Sequence, residues 1–153
     1  MSPIIRLLGP GDASVLDNVA PSVFDNAIDP RWTAEYLSDP RHHLAVAIDE
    51  DRVVGMASAA HYVHPDKAPQ LFINEIAVAP PYQGQGIGRR LMERLLDRGR
   101  ELGCREEWLG TDRSNTAARR LYAAAGGVEV PGDGVGFVID LGKQSRRAAL
   151  PGE

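Results

Sequence analysis

Glu75 stands in the run Phe72-Ile73-Asn74-Glu75-Ile76-Ala77-Val78, where an acidic side chain is costly unless it is solvated, paired or put to use. Just beyond it, Ala79-Pro80-Pro81-Tyr82-Gln83-Gly84-Gln85-Gly86-Ile87-Gly88-Arg89-Arg90-Leu91 forms a loop nearly stripped of side chains. Gly84, Gly86 and Gly88 let backbone N–H groups approach a ligand without Cβ interference. The first turn of the helix that follows adds its own unpaired donors and the positive end of its dipole. Such a junction suits an anion, most naturally a phosphate or pyrophosphate. The two commonest nucleotide loops do not fit, because there is no Gly-Lys-Ser/Thr ending and the glycines run G-x-G-x-G. The pattern present is Gln-x-x-Gly-x-Gly at Gln83, Gly86 and Gly88. A second group of polar residues lies further on, where Asn115 and Tyr122 are two helical turns apart and can face the same side of a helix.

These residues need elements to hold them. Leu71 to Val78 reads as a largely buried strand that Pro80 and Pro81 end, and Ile87, Leu91, Leu95 and Leu102 recur on one face of the helix after the loop. Upstream, Ile4 to Leu7 predicts a first strand, Asp12 a cap for a helix running toward Asn26, and Pro30 to Leu37 a short second helix that Asp39-Pro40 breaks. His43 to Ile48 and Arg52 to Val63 predict a hairpin around the acidic turn Asp49-Glu50-Asp51. Downstream, a strand at Glu107 to Thr111 is followed by a helix from Asn115 to Ala125. Gly126-Gly127 stops that helix, and a final strand pair near Val128 to Val130 and Val135 to Leu141 closes on the turn Pro131-Gly132-Asp133-Gly134.

Composition fits one domain, residues 1–142, followed by a tail, residues 143–153. The chain has 153 residues, of which 43% are hydrophobic and 25% charged, enough for a sizeable core. The formal net charge of -4 speaks against a nucleic-acid partner, which calls for a concentrated basic face, and weakly favours a cationic one. No apolar run is long enough for a membrane span and no charged-then-apolar leader opens the sequence, so no membrane partner and a cytoplasmic location are expected. Cys104 is the single cysteine. It can form neither an internal disulfide nor a cysteine metal cluster, and it reads as a small packed residue. His61 and His64 are close in sequence but lack an evident third ligand, so no metal is expected.

The Gln-x-x-Gly-x-Gly loop, followed in order by Asn-x-x-Ala-x-x-Leu-Tyr at Asn115, Ala118, Leu121 and Tyr122, resembles the GNAT superfamily of N-acetyltransferases. The resemblance extends from Ile4 to Leu141. It implies an α/β (α+β) GNAT fold, with a mixed, mostly antiparallel sheet of six to seven strands flanked by about four helices. It also implies acetyl-CoA as cosubstrate, held by the main chain of Ile76, Ala77 and Val78 along the pantetheine arm. The pyrophosphate would then lie at Gln83, Gly84, Gln85, Gly86, Ile87, Gly88 and Arg89. By the same resemblance Asn115 contacts the cofactor, Tyr122 protonates the departing thiolate, and the acidic residue at Glu75 serves as the amine's base. Burial would raise the pKa of that carboxyl to a useful value. The residue itself leaves open a simpler role, contact with a substrate ammonium.

The acceptor is less sharply drawn. His64 to Pro69, Asn74-Glu75 and Gly103 to Trp108 look like GNAT proteins grouped with aminoglycoside 3-N-acetyltransferases, which would place this chain in antibiotic resistance. In that group an aspartate commonly occupies the place of Glu75. Asp25, Asp29, Glu35, Asn74, Glu75 and Asp112 are candidate substrate contacts for a small cationic amine, with Trp32 and Tyr36 in the same first helical region. Two alternatives stand beside this reading: a protein or peptide N-acetyltransferase, and a noncatalytic acyl-CoA-binding module. A closed acidic pocket suits an amino sugar, and a through-going groove suits a peptide. A homodimer is open, with no residue that requires it.

Overall fold

The computed structural model describes residues 2–132 and 135–142, so Asp133 and Gly134 of the expected turn and the expected tail, residues 143–153, lie outside the described residues. The elements run β1 (Ile4–Leu7), a 3-10 turn (Ala13–Asp17), α1 (Pro30–Ser38), β2 (His42–Asp49), β3 (Arg52–Tyr62), β4 (Gln70–Val78), α2 (Ile87–Glu101), β5 (Glu106–Trp108) and α3 (Thr116–Ala124). The strands lie side by side in sequence order in one five-stranded sheet. Neighbours are antiparallel from β1 to β4, and β5 returns parallel to β4 after the α2 crossover.

Local chemistry explains most boundaries. Glu50 and Asp51 both take positive φ, 47° and 63°, the two-residue conformation whose twist matches a tight hairpin, and Asp49 pairs with Arg52 across it. Asp29 caps α1 by accepting the Arg31 N–H, and Pro30 fills the first helical position, where its missing N–H costs nothing. At the end of α3, Gly126 adopts φ 97°, and the N–H of Gly127 returns to the Tyr122 carbonyl, closing the helix as its glycine pair predicts.

The core lies between the sheet and α2. Ile87, Leu91, Met92 and Leu95 are buried along one face of that helix, against the face of the sheet that carries Gly55 and Leu71. Close approach of helix and sheet is possible because Gly99 has no side chain: a Cβ there would lie 3.0 Å from Leu71 Cδ2. Burying a Leu side chain fully contributes about 1.5–3 kcal/mol, so Leu91 and Leu95 anchor the helix whose first turn follows the glycine loop.

Two expectations need correction. The helix expected from Asp12 toward Asn26 is a single 3-10 turn. Asp12 spends its carboxylate on the Gly9 N–H and Arg6, Pro21 cannot donate a helical hydrogen bond, and Ser22 sits at φ 70°, outside any right-handed helix. The expected final strand pair is also absent among the described residues, leaving five strands and three α-helices where six to seven and about four were expected. Period-2 alternation makes a strand only where a partner ladder exists. Val128, Phe137 and Leu141 are instead 88%, 83% and 94% exposed.

Candidate active site

β4 carries the center of the site, and its pairing explains why. On one side it is zipped to β3, with an irregularity where Ser58 faces Glu75 and Ala59 faces Ile73, so Asn74 is the extra, bulged residue. On the other side β5 pairs only with Gln70, Leu71 and Phe72. From Ile73 to Val78 that edge has no strand partner among the described residues. The main chain of Ile76, Ala77 and Val78 therefore borders an opening of the kind an extended ligand fills by adding a strand.

Glu75 faces the side of the sheet covered by α1, where a cavity of about 340 Å³ opens. Met56, Ser58 and Leu44 share the sheet floor with it, while Phe24, Trp32 and Tyr36 stand among the walls. The expected burial of Glu75 does not hold: the residue is exposed, because the bulge at Asn74 turns it into an open cavity. A solvated carboxylate there can meet an ammonium or take its proton directly or through water.

The remaining acids divide. Asp25 and Asp29 border the same cavity as Glu75, but Asp29 is held by Arg31 through its backbone N–H and its guanidinium, which keep its carboxyl below the usual range. Glu35 and Asn74 do not border the cavity. Glu35 lies exposed on α1 and Asn74 at the bulge. Asp112 lies in the exposed loop after β5, its carbonyl accepting the Asn115 N–H. The cavity is neither a closed acidic pocket nor lined on every side by charge.

The loop before α2 has the form its glycines predict. Gly84 and Gly86 take φ 76° and 78°, and no atom lies within 4 Å of a Cβ built on either, so both face open space. Gly86 is the N-cap of α2 and brings no side chain to its donors. Gln83 donates to the Val78 carbonyl at 2.9 Å and Gln85 to that of Pro81 at 3.3 Å. Tyr82 donates to Asp49 at 2.5 Å, tying the loop to the end of the β2–β3 hairpin. Arg89 pairs with Glu93 one turn on. This cradle fits a pyrophosphate: open space, glycine φ values and uncapped helix donors coincide.

Tyr122 borders a second cavity, of about 360 Å³, beside Trp108, Thr111 and Arg119, and so does not share the cavity of Glu75. Burial, and then the nearby Glu107 carboxylate, push its phenol above the ordinary value, which keeps the proton on the oxygen at neutral pH. Asn115 caps α3, its side-chain oxygen accepting the Ala118 N–H at 3.0 Å. The Asn-x-x-Ala spacing is thus accounted for within the helix itself.

Sequence reasoning passed over Glu107 as a site residue. Burial pushes its carboxyl up to about 7, partly offset by the Ile73 N–H, and its Oε1 is buried without a hydrogen-bond partner among the described residues. The signal was present: in Glu106-Glu107-Trp108 the strand period sends the middle residue to the opposite face from its neighbours. The Ile73 backbone acts on this carboxyl, and the carboxyl in turn acts on Tyr122, which places it where β5 parts from β4. Cys104 is half-buried, and burial raises its thiol pKa, as suits an unreactive packing residue.

The family model for the Acetyltransferase (GNAT) family matches residues 15–126. The chain belongs to this family. An uncharacterized N-acetyltransferase of Mycobacterium tuberculosis is 31% identical over 110 residues, covering 72% of this chain and 67% of that protein. The fold is shared with an aminoglycoside acetyltransferase, HMB0005, from an uncultured soil metagenomic sample, at TM-score 0.76 and 19% identity over 93% of this chain and all (100%) of that one. It is shared also with the aminoglycoside N-acetyltransferase AAC(6')-Iy in complex with CoA, at TM-score 0.71 and 23% identity over 92% and 97% of the two chains. This GNAT acetyltransferase is therefore an acyltransferase with a mixed α/β fold. Among its described residues no helix is long and apolar enough to cross a membrane, and no group of three or more His, Cys, Asp or Glu could hold a metal ion.

Proposed function

We propose that this GNAT acetyltransferase moves an acetyl group from acetyl-CoA to the primary amine of a small cationic acceptor bound over Glu75. The observation that carries the reading is the edge of β4 from Ile73 to Val78, unpaired among the described residues, flanked by the open Glu75 cavity and by the glycine loop at the start of α2. Acetyl-CoA supplies the acetyl group as an activated thioester. Gly84, Gly86 and the first N–H groups of α2 bind the pyrophosphate, and the main chain of Ile76 and Val78 orients the pantetheine arm along the open edge. Gln83 must release the Val78 carbonyl if that oxygen is used.

An alkylamine has a pKa near 10 and arrives as an ammonium. Glu75 accepts its proton, freeing the nitrogen lone pair to attack the thioester carbonyl. As the C–N bond forms and the C–S bond breaks, Tyr122 gives its proton to the departing sulfur. The acylated nitrogen sheds its remaining excess proton through water, which restores Tyr122 and leaves a neutral amide and the CoA thiol. Aminoglycosides are one candidate within this class, since both structural neighbours are aminoglycoside acetyltransferases. A peptide N-terminus is the alternative, and the open cavity does not exclude it.

The test is acetyl-CoA-dependent thiol release over a panel of amines, with mass spectrometry of the products. Glu75→Gln should lower turnover by roughly 10² to 10⁴, with recovery as pH rises toward the amine's own pKa. An acceptor that gains an acetyl group just as fast with Glu75→Gln across pH 6 to 9 removes the carboxylate from the mechanism.

A further inference from the structure

The cavity over Glu75 is walled mainly by carbon, and much of its polar lining is already spent. Asp29 is committed to Arg31, the Thr33 hydroxyl donates to the Asp29 carbonyl, and the Tyr36 hydroxyl donates to the His43 carbonyl at 2.6 Å. Tyr36 therefore has no hydroxyl proton left to donate to a ligand. What remains facing the space is one carboxylate on the sheet floor, Glu75, with the Ser58 hydroxyl opposite it in the β3 register, and the exposed Asp25 and Asn26 at the outer side. Phe24, Leu44 and Met56 supply apolar surface between them. Trp32 borders the same cavity while 71% exposed, an aromatic face left bare to solvent.

A polycation would set several ammonium groups beside this apolar wall with too few free acids to meet them, and each one drawn out of water without a partner is costly. One ammonium beside an apolar body has the opposite balance. Its charge meets Glu75, and its body covers Phe24, Tyr36 and Trp32, whose ring faces also attract a cation. Resting on the acetyl-transfer reading above, we propose that the cavity selects an acceptor with a single reactive ammonium on a short arm from an aromatic ring, an arylalkylamine in chemical class.

The experiment compares 2-phenylethylamine and tryptamine with butylamine, spermidine and kanamycin as acceptors, by thiol release and product mass, for the wild type and for Trp32→Ala. Trp32 is mostly solvent-exposed, so its truncation leaves the core intact, and circular dichroism checks this. The aromatic monoamines should show kcat/KM at least tenfold above spermidine and kanamycin. Trp32→Ala should raise KM for them about tenfold, with kcat held and with little change for butylamine. Adding salt to 0.5 M should change their KM less than twofold, because a single charge pair is screened once. Higher kcat/KM for kanamycin or spermidine, or an equal effect of Trp32→Ala on every amine, overturns this selectivity and leaves the acetyltransferase reading standing. Acetylation of no amine at all, in protein that binds acetyl-CoA by calorimetry, overturns both.

Discussion

Tyr122 illustrates how one residue's surroundings decide its chemistry. A proton donor to a leaving thiolate must keep its proton until the C–S bond breaks, and the half-buried position of Tyr122 beside Glu107 raises its pKa in that direction. Removing the hydroxyl takes away the donor while leaving the ring in place against α3. Tyr122→Phe should therefore lower kcat by about 10² near pH 7 with the acetyl-CoA KM nearly unchanged. The defect should shrink above about pH 8.5, where a free thiolate is a stable leaving group without help. Steady-state kinetics from pH 6 to 9.5 read both effects. A uniform loss at every pH would make Tyr122 a packing residue.

At the scale of elements, the glycine loop and α2 act as one device. Gly86 needs φ 78°, a conformation that costs a β-branched residue about 1–3 kcal/mol, yet a Cβ there would touch nothing within 4 Å. Gly86→Val should leave the sheet and α2 intact by circular dichroism and weaken acetyl-CoA at least tenfold by calorimetry, because the added methyls enter the space left for the ligand. Unchanged affinity would move the pyrophosphate elsewhere. This device was legible in the sequence, since glycine spacing and a following amphipathic helix are local signals. So were α1, with Pro30 at its start, and the hairpin at Asp49-Glu50-Asp51. What escaped depends on contacts distant in sequence. The open edge of β4 follows from β5 pairing with only Gln70 to Phe72, and the exposure of Glu75 follows from a bulge one residue away. Neither is written in the run that contains them. The strand pattern from Val128 to Leu141 carried the right period but not the ladder that period presumes. The burial of Glu107 and the contact between His43 and His61 across β2 and β3 arise only once the sheet has assembled.

Stability as a function of pH belongs to the whole molecule, because a buried and a half-buried group pull it in opposite directions. His43 is buried on β2, with Nε2 2.8 Å from His61 Nδ1. Burial first, then His61, Arg98 and His42, hold its pKa down at about 4, against a smaller opposing effect of Asp39. Burial and the charges of Arg98 and Arg41 lower His61 as well, with Asp39 again opposing. The unfolded chain therefore binds more protons than the folded one between about pH 6.5 and 4, so stability present above that window is lost as pH falls through it. Glu107 has the reverse sign. Its folded pKa of about 7 lies above the unfolded value, so its contribution is complete at low pH and is lost as pH rises from about 4.5 through 7. Thermal midpoints measured every half unit from pH 4 to 8.5 should separate the two. His43→Gln should flatten the fall of the midpoint between pH 6.5 and 4 relative to the wild type. Glu107→Gln should raise the midpoint above that of the wild type at pH 8, by an amount that disappears near pH 4.5. A His43→Gln acid limb parallel to that of the wild type would show that the ring takes up its proton alike in the folded and unfolded chain. A Glu107→Gln difference constant with pH would mean that its carboxyl titrates alike in the folded and unfolded chain.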